Sequence, residues 1–499
     1  MPKRISVASL VFLWVAMVSS GASSAAPVYF ATGIKIGEVT QDSAIVWVRL
    51  TAAPEANRDG VVPNPHKSPT RVLVDIPDIP VSLWEGSAEG ISGEIRVGVS
   101  IDPALRTAQW TEWTAVGPAT DYSHKFPLAA LQPDTQYYVR AEGRSAADAP
   151  ATQAPMGQFR TAGSGDTWQN VWFTVITGQM YYHRDDVNGF KIYPAMAKIR
   201  ESYPDFIVAT GDFTYYDRDN PRGKTVDLAR LHWQRICSLP LVRDFYYKVP
   251  GYWEKDDHDT FFDDCWPTYE APWIEPLTYA EGAAVFEEQT PVLKPPFRTV
   301  RWGEGLQVWF PEGRDYRSPN EDPDGPEKTI WGNEQKEWLK NTILESDAVF
   351  KVLVSPTAIV GPDNPNQTDS HADDAFATEG KEFRLWTRDN RLDHFYVCCG
   401  DRHWQYMSTD PESGLREFAC GPTTDMHALH GPQYEPKWHS FYREGGGFLS
   451  VSISTGEIKV LARPQRVVQE KTVPTIIFRF HDVDGKLLYE YRDTSLVDE

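Results

Sequence analysis

Positive charge is scarce in this sequence. Its 499 residues include 49 Lys and Arg against 70 Asp and Glu, which gives a formal net charge of -21. A field of this sign repels the phosphates of nucleic acids, so we expect no DNA or RNA binding. By the same argument, a substrate that contains phosphate would need bound cations before this protein could accept it.

Cysteine is also scarce. The chain has five, at positions 237, 265, 398, 399 and 420. Their spacings exclude the paired Cys-x-x-Cys pattern of structural zinc sites. Because the number is odd, they cannot all pair within one chain. Cys398 and Cys399 end an apolar run, where we expect buried free thiols, although an exported protein could form disulfides.

Long hydrophobic runs are absent after the first residues. The run at 5–18 follows two basic residues and is too short to span a bilayer comfortably. Small residues up to Ala25 then offer a cleavage site. We therefore predict a signal peptide over 1–25 and a secreted or periplasmic mature chain from about Ala26, with no later membrane span. An uncleaved anchor is the alternative.

The remaining chain has the composition of a soluble globular protein, with 41% hydrophobic and 24% charged residues. Short alternating strands separated by turns predict a β-sandwich over 26–162, with a long inserted loop at 52–92. From residue 163 to 499, strands and helices alternate, which predicts a sheet covered by helices.

Three further elements are predicted in this second segment. Apolar and aromatic residues at 245–249 predict a strand. The stretches 448–463 and 475–492 are predicted as terminal β-hairpins, the second turning at 482–485.

Three clusters of acidic residues and histidine each follow an apolar segment. The apolar run at 207–210 stops at a glycine, and Asp212 follows at once. Asp-Asp-His-Asp at 256–259 is the second cluster. Gly-Asp-Arg-His at 400–403 is the third and directly follows the apolar run at 395–399.

Each cluster alone has a simpler interpretation. Asp212 could cap a helix, and 256–259 could be a solvated acidic loop. However, ligands in open α/β sheets gather beyond the carboxyl ends of strands, and close carboxylates are costly without a cation. Three such clusters in one α/β segment therefore predict a metal centre.

These segments resemble the alkaline phosphatase D (PhoD-like) family of metallophosphoesterases over nearly the whole mature chain. Gly-Asp-Phe-Thr-Tyr at 211–215 fits the family's Gly-Asp-x-x-Tyr motif, and 256–259 fits its Asp-Asp-His-Asp/Glu motif. The segment at 400–403 fits its Gly-Asp-x-His motif. Three further segments are also similar, at 37–49, 314–317 and 332–346.

The resemblance implies an α/β fold, a metallophosphoesterase-type four-layer αββα sandwich over 163–499, after an N-terminal fibronectin-like β-sandwich over 26–162. It also implies the sets of ligands. Asp212 is expected to bridge two metals. Tyr215 and His403 are expected at the first metal, and Asp257 and Asp401 at the second.

The resemblance also implies a catalytic residue and a choice of metals. His258 is expected over the site, stabilising phosphoryl oxygens or protonating the leaving group. The family is known for iron with calcium, so we expect Ca²⁺ together with Fe³⁺, and oxygen-rich ligation also suits Mg²⁺ or Mn²⁺. His427 and His430 are further candidates to line the pocket, although loop histidines without partners are usually bystanders.

One departure from the family concerns the first metal. The family usually has Ser-Cys-Gln after the first strand of the catalytic domain, and the cysteine is an iron ligand. Here the segment is Thr-Gly-Gln, with Gly178 at the cysteine's place. The first metal therefore lacks one ligand. Tyr181, Tyr182 and His183 are candidates to replace it.

The sequence thus predicts an exported hydrolase that cleaves phosphate mono- or diesters with a metal-bound hydroxide. Its expected substrates are small phosphate esters, lipids or wall polymers, and we expect a monomer. The alternative is a non-catalytic or altered binding protein with a degenerate metal site, in which the β-domain and the 18 Trp carry the function.

Overall fold

The computed structural model describes residues 26–62, 79–200, 202–365, 367–462 and 467–495. The predicted signal peptide at 1–25 lies outside the described residues. Within the described ranges, every helix is too short or too polar to cross a membrane.

The N-terminal part is built of short strands. In chain order they are β1 (Ile34–Gly37), β2 (Ala44–Arg49), β3 (Gly93–Ser100), β4 (Gln109–Trp110), β5 (Thr114–Val116), β6 (Ser123–Leu128), β7 (Gln136–Arg144), β8 (Thr152–Gln153) and β9 (Gly157–Arg160). Single 3₁₀ turns occur at Val81–Leu83 and Pro118–Thr120.

From residue 171 onward, strands alternate with helices. The first half contains β10 (Val171–Ile176), α1 (Ile192–Lys198), β11 (Phe206–Thr210), α2 (Val226–Cys237), α3 (Pro240–Tyr246), β12 (Gly251–Glu254), α4 (Tyr279–Gln289), β13 (Arg298–Trp302) and β14 (Leu306–Phe310). The second half contains α5 (Gly332–Glu345), β15 (Phe350–Ser355), α6 (Ala377–Asp389), β16 (Phe395–Cys399), β17 (Gln405–Thr409), β18 (Arg416–Cys420), β19 (His439–Arg443), β20 (Gly447–Ala462), β21 (Val467–Asp482) and β22 (Leu487–Thr494). Single 3₁₀ turns lie at Tyr181–His183 and Asp425–His427.

Side-chain caps fix the starts of two of these helices. Helix α2 follows Thr225, whose hydroxyl accepts the backbone N–H of Leu228 at 3.2 Å. Helix α4 follows Thr278, which forms a reciprocal capping box with Glu281. Such caps satisfy N–H groups that the first helical turn leaves without partners.

Two large sheets form the centre of the molecule. The first has nine strands in the order β22-β21-β20-β10-β11-β12-β1-β2-β6, and the second has seven in the order β13-β14-β15-β16-β18-β17-β19. Strands β10, β11 and β12 are parallel to one another, as are β14, β15, β16 and β18. Their carboxyl ends therefore share one edge in each sheet.

Alternate residues of the central strands belong to different cores. In β11, Phe206 and Val208 lie in the core between the two sheets, whereas Ile207 and Ala209 pack in a second core with helices α1 to α3. Likewise, Leu353 of β15 packs with helices α5 and α6 on the outer side of the second sheet. The order of layers is helix, sheet, sheet, helix, which confirms the predicted four-layer sandwich.

The N-terminal β-sandwich is joined to the central sheet. Strands β3, β4, β5, β7, β8 and β9 form its own six-stranded sheet, but its other strands, β1, β2 and β6, are the last three of the nine-stranded sheet. The joint is a parallel pair in which Gly37 lies opposite Gly251. Around it, Lys35 donates from Nζ to the carbonyl oxygen of Gln289 at 2.6 Å, and Trp47 from Nε1 to that of Glu288 at 2.7 Å.

Two predicted elements are wrong. The stretch 245–249 is not a strand. It contains the end of helix α3, which Pro240 starts at its first position, and the strand follows at Gly251. The stretch 448–463 is not a hairpin but part of the single long strand β20, which pairs with β21 along its whole length. The turn predicted at 482–485 is confirmed, since β21 and β22 flank it.

All five cysteines are buried free thiols. This confirms the expectation for Cys398 and Cys399. Burial raises the pKa of both thiols well above its usual value, so they are protonated and inert.

Candidate metal centre

A sharp turn presents Asp212 at the carboxyl end of β11. Gly211 has φ +95°, and a Cβ at this position would lie 2.4 Å from the Cβ of Asp256. Only glycine therefore allows the first and second clusters to approach each other. Asp212 itself has φ +55°, and Asp401 of the third cluster has φ +59°. Such conformations cost energy in residues other than glycine and concentrate at functional sites.

The first group of side chains consists of Asp212, Tyr215 and His403. The Tyr215 hydroxyl donates to Oδ2 of Asp212 at 2.9 Å. Nε2 of His403 lies 3.4 Å from that same oxygen and 3.4 Å from the Tyr215 hydroxyl. All three residues are buried. His403, at least 188 positions after the other two residues, thus joins them in presenting three donor atoms to one point.

The second group shares Asp212 with the first. One ligand atom each of Asp212, Asp257 and His258 lies within 4.8 Å of the other two. The two Asp257 carboxylate oxygens also accept the backbone N–H groups of His258 at 2.9 Å and Asp264 at 2.7 Å, which fixes its orientation. The carboxylate of Asp212 is thus common to both groups.

The structure places Asp401 on the same edge but with a different partner. Its carboxylate lies 2.9 Å from Nη1 of Arg402, and its backbone N–H donates to the Thr177 hydroxyl at 3.2 Å. Burial raises the pKa of Asp401 well above its usual value, Arg402 opposes this, and the charges of Asp369 and Asp256 add to it. Asp401 is therefore close to the other acids without sharing their contacts.

Two buried atoms of the first group lack partners. Among the described residues, Oδ1 of Asp212 and Nδ1 of His403 accept or donate no hydrogen bond. Burial raises the pKa of Asp212 well above its usual value, and the charges of Asp257 and Asp256 add to this although His258 opposes it. A buried carboxylate oxygen without a hydrogen-bond donor can be satisfied by a bound cation. These residues therefore fit a metal.

His403 is in the protonation state that a ligand needs. Burial, with the charges of His258 and Arg218, lowers its pKa to about 3. The ring is therefore neutral at physiological pH, and one of its nitrogens keeps a lone pair.

His258 is held by carboxylates. Its Nδ1 donates to Oδ1 of Asp217 at 2.8 Å, and its Nε2 lies 3.4 Å from Oδ1 of Asp263. Burial lowers the pKa of His258, but Asp217, Asp257 and Asp212 outweigh burial and raise it well above its usual value. These carboxylates therefore favour an imidazolium whose Nε2–H is directed away from Asp217.

Sequence reasoning missed the residues that hold this site in place. Asp217 orients His258, and its only sequence signal is its position five residues after Asp212. Nε of Arg314, fully buried, donates to Oδ1 of Asp256 at 2.5 Å, and its Nη2 lies 3.4 Å from Asp369. The similarity at 314–317 marked this arginine but gave it no role, because its partner lies 58 residues away.

A second acidic group lies beside the first. Oxygens of Asp363, Asp369 and Asp373 also come within 4.8 Å of one another. Here Arg402 contacts Asp363 at 2.5 Å and Asp369 at 3.2 Å. Oδ2 of Asp373 accepts the backbone N–H groups of Asp369 at 2.9 Å and Ser370 at 2.8 Å. These acids are paired within the protein.

Comparison with models of protein families shows which family the chain belongs to. The family described as PhoD-like phosphatase matches residues 173–435, more than half of the chain. The chain belongs to the PhoD-like phosphatase family. The N-terminal domain of PhoD-like phosphatases matches residues 16–163 as well. This confirms the resemblance seen in the motifs, and it makes the protein a metal-dependent phosphoester hydrolase.

Solved structures agree with the fold of the family. The structure of PhoD aligns with TM-score 0.66 at 16% identity, covering 94% of this chain and 92% of that one. The purple acid phosphatase PPD1 from yellow lupin (Lupinus luteus) seeds aligns with TM-score 0.57 at 10% identity, covering 92% of this chain and 73% of that one. At these identities the likeness shows the fold alone. No curated protein gives a significant match to the sequence.

Proposed function

We propose that this protein is an exported phosphoesterase that hydrolyses phosphate mono- or diesters with a metal-bound hydroxide. The observation that carries the proposal is the position of the Asp212 carboxylate. It contacts Tyr215 and His403 on one side and lies within 4.8 Å of ligand atoms of Asp257 and His258 on the other.

The contacts of Asp212 support most of the proposed ligands, and Asp401 is proposed from the family resemblance. Asp212 would contribute to both ions, with Tyr215 and His403 at the first and Asp257 and Asp401 at the second. Ca²⁺ with Fe³⁺ is the proposed pair, and Mg²⁺ or Mn²⁺ also suits the oxygen donors. Cations in such a site lower the pKa of water, neutralise phosphoryl oxygens and stabilise the leaving alkoxide.

His258 is the proposed catalytic residue. Asp217 accepts its Nδ1–H at 2.8 Å, which fixes the orientation of the ring. The raised pKa of His258 favours the imidazolium, in which Nε2 also carries a proton. From this position Nε2–H can donate to a phosphoryl oxygen or protonate the leaving oxygen. Arg218 contacts Asp263, the carboxylate nearest to Nε2, and keeps that acid beside the ring.

The negative charge of the protein affects where an anionic substrate can bind. With a net charge of -21, an anionic ester approaches favourably only where cations are held, which restricts binding to the metal site. The proposed substrates are small phosphate esters, lipids or wall polymers, the proposed state is a monomer, and the proposed location is secreted or periplasmic. Export is tested by the mature N-terminus, which we expect near residue 26.

The experiment that tests the function combines elemental analysis with turnover. We expect purified protein to hold more than one ion per chain and to cleave a chromogenic phosphate monoester or diester. Asp212→Asn should lose ions and at least about a hundredfold in turnover, since even an outer partner of a metal ligand can be worth that much. A metal-free, inert wild type would instead favour the degenerate binding protein.

A further inference from the structure

A third histidine lies against the first group of donors. His427 ends the 3₁₀ turn Asp425–His427, and only 6% of the residue is exposed. Its ring centroid lies 4.2 Å from that of His403 and 5.0 Å from that of Tyr215. His427 thus packs on both side chains that contact the carboxylate of Asp212.

The hydrogen bond of His427 fixes its tautomer. Nδ1 lies 3.2 Å from the carbonyl oxygen of Gly178, which also accepts the Thr423 hydroxyl at 2.9 Å. A carbonyl oxygen only accepts, so Nδ1 carries the proton. In a neutral imidazole Nε2 then has a free lone pair. Histidines that bind metals usually have this arrangement, with the non-ligating N–H donated to a backbone carbonyl.

Gly178 keeps the space between these groups open. It has φ +62°, and a Cβ there would lie 3.1 Å from Nε2 of His403 and 3.1 Å from Cβ of Pro422. A side chain at this position would crowd the nitrogen that faces Asp212. Glycine leaves that space free and turns its carbonyl toward His427.

We infer that Nε2 of His427 is a fourth protein ligand of the ion held by Asp212, Tyr215 and His403. The inference rests on the proposed metal centre and extends it. A set of two imidazoles, a phenol and a carboxylate favours a transition metal such as iron, manganese or zinc over Ca²⁺ or Mg²⁺. The first position is therefore selective for a transition metal, while the oxygen-rich second position is not.

The experiment compares His427→Ala with His430→Ala by calorimetric titration of metal-depleted protein with Mn²⁺. His430 is a matched control, because its side chain is 94% exposed and contacts Glu444 at 2.7 Å. We expect His427→Ala to weaken the tighter Mn²⁺ site by at least about tenfold, because a direct ligand is worth no less than an outer partner. We expect His430→Ala to bind as the wild type does, and Ca²⁺ binding to be the same in all three proteins.

A spectroscopic readout separates ligation from a structural role. Pulsed electron paramagnetic resonance of Mn²⁺-loaded wild type, prepared with ¹⁵N-labelled histidine, should show two coordinated imidazole nitrogens at the tighter site. His427→Gln can still donate to the Gly178 carbonyl and should show one. These signals do not depend on whether His427→Ala folds.

The outcomes distinguish the two proposals. If the wild type binds no Mn²⁺, the metal centre itself is wrong. If the wild type binds Mn²⁺ through a single imidazole, or if folded His427→Ala keeps the full affinity, the metal centre stands and His427 is only a support for its loop.

Discussion

Two groups of acids at this edge of the molecule are equally compact but differ in their partners. In each, ligand atoms lie within 4.8 Å of one another. Arg402 contacts both Asp363 and Asp369 in one group. In the other, Oδ1 of Asp212 has no partner among the described residues. Crowding of carboxylates is therefore common to a structural cluster and a metal site, and a deficit of donors is what separates them.

The pKa values of Asp369 and Asp212, one acid from each group, move in opposite directions. Burial raises the pKa of Asp369, but Arg402 and Arg314 outweigh burial and lower it overall. Burial also raises the pKa of Asp212; His258 opposes this increase without cancelling it, and the charge of Asp257 adds to it. The positive charges around Asp369 outweigh its burial, whereas the charge of His258 beside Asp212 does not. Three predictions test this difference.

The largest effect is expected for His258→Gln. If His258 transfers a proton to the leaving oxygen, its loss should lower kcat by about 10²–10⁴-fold. Metal content should stay the same, because the proposed ligands remain. Steady-state kinetics with elemental analysis measures both. A substrate whose leaving group needs no proton should lose much less, and equal losses for good and poor leaving groups would contradict the acid role.

A smaller effect on ion binding is expected for Asp257→Asn. Loss of this carboxylate should weaken ion binding by more than about tenfold, the lower limit for an outer partner of a ligand. Asp373→Asn is the matched control in the paired group. It keeps an oxygen that can accept the N–H groups of Asp369 and Ser370. Calorimetric titration should therefore separate the two variants, and equal affinities would remove the distinction between the groups.

The smallest effect is expected for Asp369→Asn, and it concerns stability. The variant should lose about 1.5–3 kcal/mol of unfolding free energy at pH 7, the range for hydrogen bonds to charged groups. The folded pKa of Asp369 is lowered, so this contribution is present above the unfolded pKa of about 3.9 and is lost as pH falls through the folded value. Denaturant titrations at pH 7 and pH 3 should show the difference shrink. A difference that does not depend on pH would exclude the ion pair as its cause.

Much of the fold could be predicted because its central strands have clear signals in the local sequence. The apolar run at 207–210, stopped by a glycine and an acid, is strand β11. The prediction of a strand at 245–249 failed because the local signal there was not decisive. The aromatic residues of this segment favour a strand, but Pro240 starts a helix there and the chain extends only at Gly251. The helix-start signal at Pro240 outweighed the strand preference of the aromatic residues that follow it.

Some residues of the candidate site could likewise be predicted from the sequence, and others could not. Asp212, Asp257 and His403 were visible because each follows a strand end. The buried partners were not visible, since Arg314 meets Asp256 across 58 residues and Asp217 meets His258 across 41. His427 was visible only as a loop histidine. Its contact with Gly178, 249 residues away, exists only in the folded chain.

The pairing of β1 with β12 joins the N-terminal sandwich to the sheet that carries the proposed metal site. A chain that began at residue 163 would lose the strand that pairs with β12 at Gly251, five residues before Asp256. Loss of the neighbouring strand would loosen the loop that carries His258. The two parts of this enzyme therefore share one sheet, through which the N-terminal part supports a site whose proposed ligands all belong to the catalytic part.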